Sequence, residues 1–143
     1  SDAYYDGRTI CIFRLSDVIL CKAEIENNLN GPAAALPYLN QIRARAGAPE
    51  YGKHNRFPAP STKETMNDAI LKERGYELVF EFQRRADLIR FGKYEEVVNA
   101  HLKKLGIAQP TNVTSSLRYF PYPLNDAQLN PNLAAENPSR LPK

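Results

Sequence analysis

The sequence has few of the residues and motifs that mark metal sites, disulfide frameworks and common catalytic centres. Its two cysteines, Cys11 and Cys21, belong to no Cys-x-x-Cys pair or cysteine/histidine cluster, which argues against zinc motifs and a disulfide scaffold. We predict that both thiols are free and buried, because unpaired cysteine behaves as a small apolar side chain. Glycine-rich phosphate loops and the Gly-x-Ser-x-Gly pattern are missing too. We therefore predict no catalytic residue, metal ligand or cofactor.

Long apolar runs and strong charge are also lacking. No stretch of the 143 residues has the length and apolar character of a membrane span. The net charge of +3 is too small and too evenly spread to indicate a nucleic-acid partner. We expect the chain to be a fragment of a longer protein whose targeting sequence lies upstream.

Apolar periodicity and turn residues predict a mainly α fold. The predicted helices lie at approximately 14–29, 33–46, 62–82, 84–91 and 94–105. Residues 106–143 are predicted to be coil. Asn30-Gly31-Pro32 separates the first two helices, and a turn this short requires them to lie antiparallel. The expected architecture is tetratricopeptide-like antiparallel helix pairs, an α-α superhelix fragment, with a long irregular proline-rich C-terminal tail.

Three details of these helices carry expectations of their own. The first helix has an apolar stripe at residues 15, 18, 19, 25 and 29, and one helix pair cannot bury both its faces, so it must stack on another pair. Ser61 or Thr62 is expected to cap the third helix. His101 is expected to face inward on the fifth helix as a core residue rather than a ligand.

Charged residues are densest between 73 and 90. The candidates for a structural ion-pair network are Arg74, Glu77, Glu81, Arg84, Asp87 and Arg90. An alternative interpretation makes Glu77 and Glu81 a carboxylate pair for glycoside hydrolysis. Each carboxylate has an arginine three or four positions away, which holds its pKa down, whereas a general acid needs a raised pKa. We favour the ion-pair network.

Aromatic residues in the aperiodic segment 51–61 are the candidate ligand-binding residues. Tyr51, Arg56 and Phe57 lie there, and exposed rings in loops can stack on sugar faces. The alternative is that these rings pack against the core of the domain. Both interpretations stay open at this point.

Four ordered blocks of the sequence resemble the C-terminal part of SusD/RagB-type proteins. They lie at 14–24, 38–47, 73–92 and 122–138. The third block is the most specific and reads Glu-Arg-x-x-Glu-Leu-x-Phe-Glu-x-x-Arg-x-x-Asp-Leu-x-Arg-x-Gly. It departs from the family pattern at Phe82 and Arg85, where the family usually has glycine and a bulky aromatic residue.

The resemblance implies that residues 1–143 are a C-terminal SusD/RagB-like helical domain, part of a non-catalytic protein that binds glycans or other nutrients. Such a protein is a cell-surface lipoprotein of the outer membrane. Its partners are a SusC-like, TonB-dependent barrel transporter, a glycan or other nutrient ligand and, for this piece, the missing N-terminal part of the same protein. The resemblance makes this piece mainly scaffold. The alternative function is a tetratricopeptide-type scaffold for protein–protein interaction.

Overall fold

The computed structural model describes residues 12–106, 113–118, 123–130 and 132. Its helices are α1 Leu15–Asn30, α2 Pro32–Arg45, α3 Lys63–Glu77, α4 Arg84–Arg90, α5 Tyr94–Lys104 and α6 Leu124–Leu129, with a 3-10 helix at Ser115–Arg118. The described residues contain no β-strand, which confirms the mainly α fold class. The chain divides into two compact units, Ser1–Asp87 and Leu88–Lys143.

Helices α1 and α2 form a hairpin whose turn is made by Gly31. Its φ of 90° lies in the region that favours glycine, and its N–H donates to the carbonyl of Asn27 at 3.2 Å. Pro32 then occupies the first turn of α2, where its missing N–H costs no helical hydrogen bond. The hairpin is antiparallel, as the short turn requires.

The face that α1 buries is small and partly polar. Its buried residues are Ser16, Leu20, Ala23 and Asn27. The apolar stripe seen in the sequence lies on the other face, where its bulky members Leu15, Val18, Ile25 and Leu29 are exposed. Within the unit the core consists of Leu20, Ala23, Ala35, Leu39, Ile42, Met66, Ile70 and Leu71. The first unit therefore has a packed interior and an apolar outer stripe.

Side chains at both ends of α3 connect it to α1. Thr62 caps α3 in a reciprocal capping box with Thr65. The amide of Asn27 donates to the carbonyl of Lys63 and to Oδ1 of Asn67, both at 2.8 Å. At the other end, the guanidinium of Arg14 donates to the backbone carbonyl of Glu77, the last residue of α3.

The predicted end of α3 at residue 82 is wrong, because the helix stops at Glu77. Residues 78–82 form turns instead, with Phe80 at φ 64° and Phe82 at φ 61°. A left-handed conformation cannot continue a right-handed helix. No proline or glycine in this stretch signals the break at the sequence level.

The second unit contains helix α5 and a segment that is hydrogen-bonded to it. The side chain of Asn99 holds the backbone of Val113 through two hydrogen bonds of 3.0 and 2.8 Å. One turn earlier, Glu95 accepts two hydrogen bonds from the guanidinium of Arg118, at 2.6 and 3.1 Å. The expectation that His101 is a core residue is wrong, since α5 has no buried residue and His101 is exposed.

Two further expectations are corrected within the described residues. The region expected to be coil contains the 3-10 helix Ser115–Arg118, whereas α6, of six residues, lies where a single turn near 125–129 was expected. Cys21 is a free thiol but is exposed rather than buried, because it lies beside the outer stripe of α1. Cys11 lies outside the described residues.

Candidate functional site

The loop after α2 is fixed by a single asparagine. Oδ1 of Asn40 accepts from the backbone N–H of Tyr51 at 2.8 Å, and its Nδ2 donates to the carbonyl of the same residue at 2.9 Å. Further along, the N–H of Gly52 donates to the carbonyl of Phe57 at 2.8 Å. The loop therefore closes on itself with Tyr51 and Phe57 side by side.

Arg43 of α2 lies beneath both rings. Its guanidinium carbon is 4.6 Å from the ring centroid of Tyr51 and 4.6 Å from that of Phe57. The two rings meet edge to face with centroids 5.9 Å apart. Arg43 also donates to the carbonyl of Pro49 and to Oε2 of Glu73, both at 2.6 Å. One buried arginine thus joins α2, the loop and α3, and orients both aromatic rings.

The three predicted ligand-binding residues border one cleft of about 510 Å³. Its lining is made by the loop and by α3, and comprises Tyr51, Arg56, Phe57, Pro58, Ala59, Pro60, Ser61, Thr65, Asp68, Ala69 and Lys72. Of the two interpretations of these rings, packing against the core applies to Tyr51, because only 9% of this residue is accessible. Burial raises the pKa of its phenol, although the charge of Arg43 opposes the shift. Phe57 is partly accessible and Arg56 is exposed.

A second cleft of about 430 Å³ lies next to the first and shares Phe57 and Lys72 with it. Its remaining lining residues are Arg43, Ala46, Ala48, Pro49, Glu73, Tyr76 and Glu77. Tyr76 is mostly exposed here. The accessible aromatic surface of this face of the first unit is therefore that of Phe57 and Tyr76.

The charged residues around the end of α3 pair mainly with partners on α1 and α2. Arg74 lies between two carboxylates, with Nη1 2.8 Å from Oδ1 of Asp17 and Nε 2.8 Å from Oδ2 of Asp87. Glu77 binds both Arg14 and Arg45. Two of the six residues proposed for the network, Arg74 and Asp87, therefore pair directly with each other. Glu77 instead pairs with arginines outside the proposed set.

Arg14 also binds Glu81, with Nε 2.7 Å from Oε1. Arg84 has a different role, because its Nη1 donates to the carbonyl of Leu71 at 2.7 Å. A Cβ at Gly75 would lie 2.8 Å from that Nη1, so a larger residue there would displace the guanidinium of Arg84. Arg90, in the second unit, has its guanidinium 4.7 Å from the ring centroid of Phe91.

Glu77 has the protonation behaviour of an ion-pair partner. Burial favours its neutral form, but hydrogen bonds from Ser16 and Arg14 and the charges of Arg14 and Arg45 outweigh burial and lower its pKa. A general acid in glycoside hydrolysis needs the opposite shift. This geometry argues against Glu77 as the acid of a hydrolytic pair.

The described residues offer neither a metal site nor a membrane-spanning helix. No three or more His, Cys, Asp or Glu side chains are grouped so that they could hold a metal ion. No helix in this part of the chain is long and apolar enough to cross a membrane.

The comparison with known proteins decides the family. The family model described as SusD family matches residues 1–139. The chain belongs to the SusD family. This match confirms the resemblance carried by the four sequence blocks.

Individual members of the SusD family match the chain over most of its length. SusD-like protein P25 of Formosa agariphila is 39% identical over 120 residues, which is 84% of this chain and 22% of that protein. The starch-binding protein SusD of Bacteroides thetaiotaomicron is 28% identical over 136 residues, or 94% of this chain and 22% of that protein. The chain thus spans about a fifth of the length of these relatives.

A solved structure supports the same fold. A SusD superfamily protein from Bacteroides vulgatus superposes with a TM-score of 0.64 at 28% identity, over 84% of this chain and 25% of that one. The helix pairs are therefore a SusD-family arrangement.

The SusD-family pattern also explains the turn after α3. Phe82 occupies the position where the family usually has glycine, and its φ of 61° is one that glycine adopts without strain. The ring of Phe82 is 94% exposed, so packing contributes little to compensate.

Sequence reasoning missed the residues that build the cleft. Arg43 and Glu73 are 30 positions apart in the chain, and Asn40 and Lys72 carry no local signal of a site. The resemblance block 38–47 contained Asn40 and Arg43, and this was the one available indication.

Proposed function

We propose that this chain is part of a non-catalytic glycan- or nutrient-binding component of an outer-membrane uptake system, and that this piece is mainly scaffold. The observation that carries the proposal is the match to the SusD family over residues 1–139. A relative matched over 94% of this chain bears the name starch-binding protein. The low pKa of Glu77 supports a binding role over a hydrolytic one.

The scaffold role is supported by the outer face of α1. Four bulky apolar side chains lie exposed there at helical spacing, namely Leu15, Val18, Ile25 and Leu29. A stripe of this kind is buried in a stable soluble assembly. In the proposal it is covered by a helix pair from the missing N-terminal part of the same protein, since the matched residues make up only 22% of each of these relatives.

This part of the proposal can be tested with a matched pair of substitutions in the intact protein. Ile25 and Leu105 are 56% and 58% exposed here. Ile25→Asp places an unpaired charge in a covered interface and is expected to lower the melting temperature by about 5 °C or more. Leu105→Asp, at the end of α5, is the control and should change it little. Equal effects of the two substitutions would contradict coverage of the α1 stripe.

The remaining parts of the proposal concern location and partner. The protein is assigned to the cell surface as an outer-membrane lipoprotein that acts with a SusC-like, TonB-dependent barrel transporter. Family membership is the support for both assignments. Tyr51, Arg56 and Phe57 are proposed as ligand-binding residues, with Phe57 as the stacking surface, Arg56 as a hydrogen-bond donor and the buried Tyr51 as the support of Phe57.

A second candidate function is a tetratricopeptide-type scaffold that binds another protein. The exposed stripe of α1 favours it, because an apolar helix face is also a docking surface for a partner helix. The two candidates differ in what the intact protein retains. A nutrient-binding component retains glycans, whereas an interaction scaffold retains only a protein.

The experiment that tests the proposed function is affinity purification of the intact protein from its native outer membrane. The expected result is co-purification of a barrel transporter and retention of the protein on an immobilised polysaccharide. Recovery in a soluble fraction with neither barrel nor polysaccharide binding would contradict the proposal. Recovery with a protein partner that is not a barrel would favour the interaction scaffold.

A further inference from the structure

Two cations at the first cleft have no partner among the described residues. Arg56 and Lys72 are both exposed and line the cleft beside Phe57. Arg43 and Lys53 differ from them, because they pair with Glu73 and Glu50.

The cleft has one carboxylate in its lining, that of Asp68, which lies one helical turn before Lys72 on α3. Two cationic side chains and one carboxylate leave the lining with a net positive charge. An unpaired guanidinium and ammonium at one cleft attract anionic groups.

Phe57 gives the same cleft an ordered aromatic surface. Its ring is held by the guanidinium of Arg43 at 4.6 Å and by the edge-to-face contact with Tyr51 at 5.9 Å. A ring that is already fixed loses little conformational freedom when a sugar stacks on it. Phe57 and Lys72 also border the second cleft, so a ligand longer than one sugar has a second cleft to enter.

We infer that these clefts bind an oligosaccharide that carries acidic groups, either carboxylates or sulfate esters. One sugar ring stacks on Phe57, and the acidic groups pair with Arg56 and Lys72. The planar guanidinium suits two-point binding of a carboxylate or sulfate, and the lysine supplies a flexible point charge. The inference rests on the proposed function and narrows its ligand class.

The test is a calorimetric titration of the intact protein with three oligosaccharides of equal length. One is a neutral malto-oligosaccharide, one an oligogalacturonate that carries carboxylates, and one a carrageenan oligosaccharide that carries sulfate esters. The two acidic arms distinguish the source of the negative charge. The wild type is expected to bind at least one acidic oligosaccharide more tightly than the neutral one, and salt should weaken that binding.

The variants Arg56→Gln and Lys72→Gln locate the binding. Each is expected to weaken acidic binding about ten-fold, which is the usual loss for one charge-assisted hydrogen bond. Both substitutions should weaken binding of the acidic oligosaccharide more than binding of the neutral one, because only the acidic ligand carries a charge that pairs with the removed cation. Lys104→Gln on α5 removes the same charge outside the clefts and is the matched control. Circular dichroism spectra of all three should match the wild type, because the substituted side chains are exposed.

Four results would overturn the inference. The first is acidic binding that survives unchanged in both cleft variants. The second is an equal loss in Lys104→Gln, which would show a general charge effect. The third is binding of the neutral oligosaccharide alone, which would leave the proposed function standing. The fourth is absence of binding to all three oligosaccharides, which would contradict the inference but not the proposed function, because that function also allows other nutrients and is tested separately by purification from the outer membrane.

Discussion

Arg43 is the residue whose substitution most sharply tests the architecture of the cleft. It is 4% exposed and bonds to Pro49 on the loop and to Glu73 on α3 while supporting two aromatic rings. Arg43→Met keeps a long side chain in the same space but removes the guanidinium. Glu73, whose side chain is 5% exposed, then keeps a buried charge without its partner.

The magnitude follows from this burial. Removing one partner of a buried ion pair costs about 3–5 kcal/mol, chiefly because the other charge remains unpaired. Losing the cation–ring contacts adds about 1 kcal/mol. The double variant Arg43→Met with Glu73→Leu removes both charges and should cost less than the single one, about 1–2 kcal/mol. Stability should therefore be partly restored by the second substitution.

The assay is thermal and urea unfolding of the intact protein, followed by circular dichroism, for Arg43→Met, Glu73→Leu and the double variant. Arg45→Met is the matched control on the same helix. Arg45 pairs with Glu77, but its side chain is 59% exposed, and exposed pairs contribute about 0–1 kcal/mol. If Arg43→Met does not fold, the double variant should still fold.

Two results would refute this reasoning. Equal losses in the free energy of unfolding for Arg43→Met and Arg45→Met would mean that the buried Arg43–Glu73 pair contributes no more to stability than the exposed Arg45–Glu77 pair. A double variant whose cost equals the sum of the two single costs would mean that the two charges do not interact. Either result would remove Arg43 as the support of Tyr51 and Phe57.

Three further predictions concern single positions. Phe82→Gly should stabilise the protein by about 0.5–1 kcal/mol by relieving the left-handed backbone, whereas Phe82→Ala should be near neutral; a lower melting temperature for the glycine variant would contradict this. The pKa of Glu77 is depressed, so the stability that its ionised carboxylate contributes is complete above the unfolded-state pKa near 4.3 and is lost as pH falls. The free energy of unfolding should therefore decrease less steeply towards acid pH in Glu77→Gln than in the wild type. Parallel curves of unfolding free energy against pH would be evidence against this prediction. Although Cys21 is an exposed residue, desolvation of its sulfur raises the pKa of the thiol, so iodoacetamide should alkylate it more slowly at pH 8 than it alkylates a free model thiol, and a faster reaction would count against that desolvation.

The fold class could be predicted from the sequence, but the orientation of α1 could not. Asn30-Gly31-Pro32 is typical of a helix break, and the turn between α1 and α2 lies at these residues. The bulky stripe of α1 is exposed because the buried face uses Ala23 for close approach and Asn27 for hydrogen bonds. Hydrophobic periodicity detects a helix face that carries bulky apolar side chains. It does not detect a buried face made of small and polar side chains.

The site was only partly predictable for a related reason. Tyr51, Arg56 and Phe57 are neighbours in the chain, so their grouping was visible in the sequence. Arg43 and Lys72 line the second cleft from two different helices, and such contacts depend on tertiary packing. The early end of α3 likewise depends on two positive φ values at phenylalanines, residues that rarely adopt them.

The central claim, that this protein binds glycans without cleaving them, is tested most directly by one titration. The intact protein is titrated calorimetrically with oligosaccharides, and the same samples are then analysed by chromatography. The account predicts saturable binding and recovery of every oligosaccharide at its original length. No binding, or recovery of shortened oligosaccharides, would contradict it.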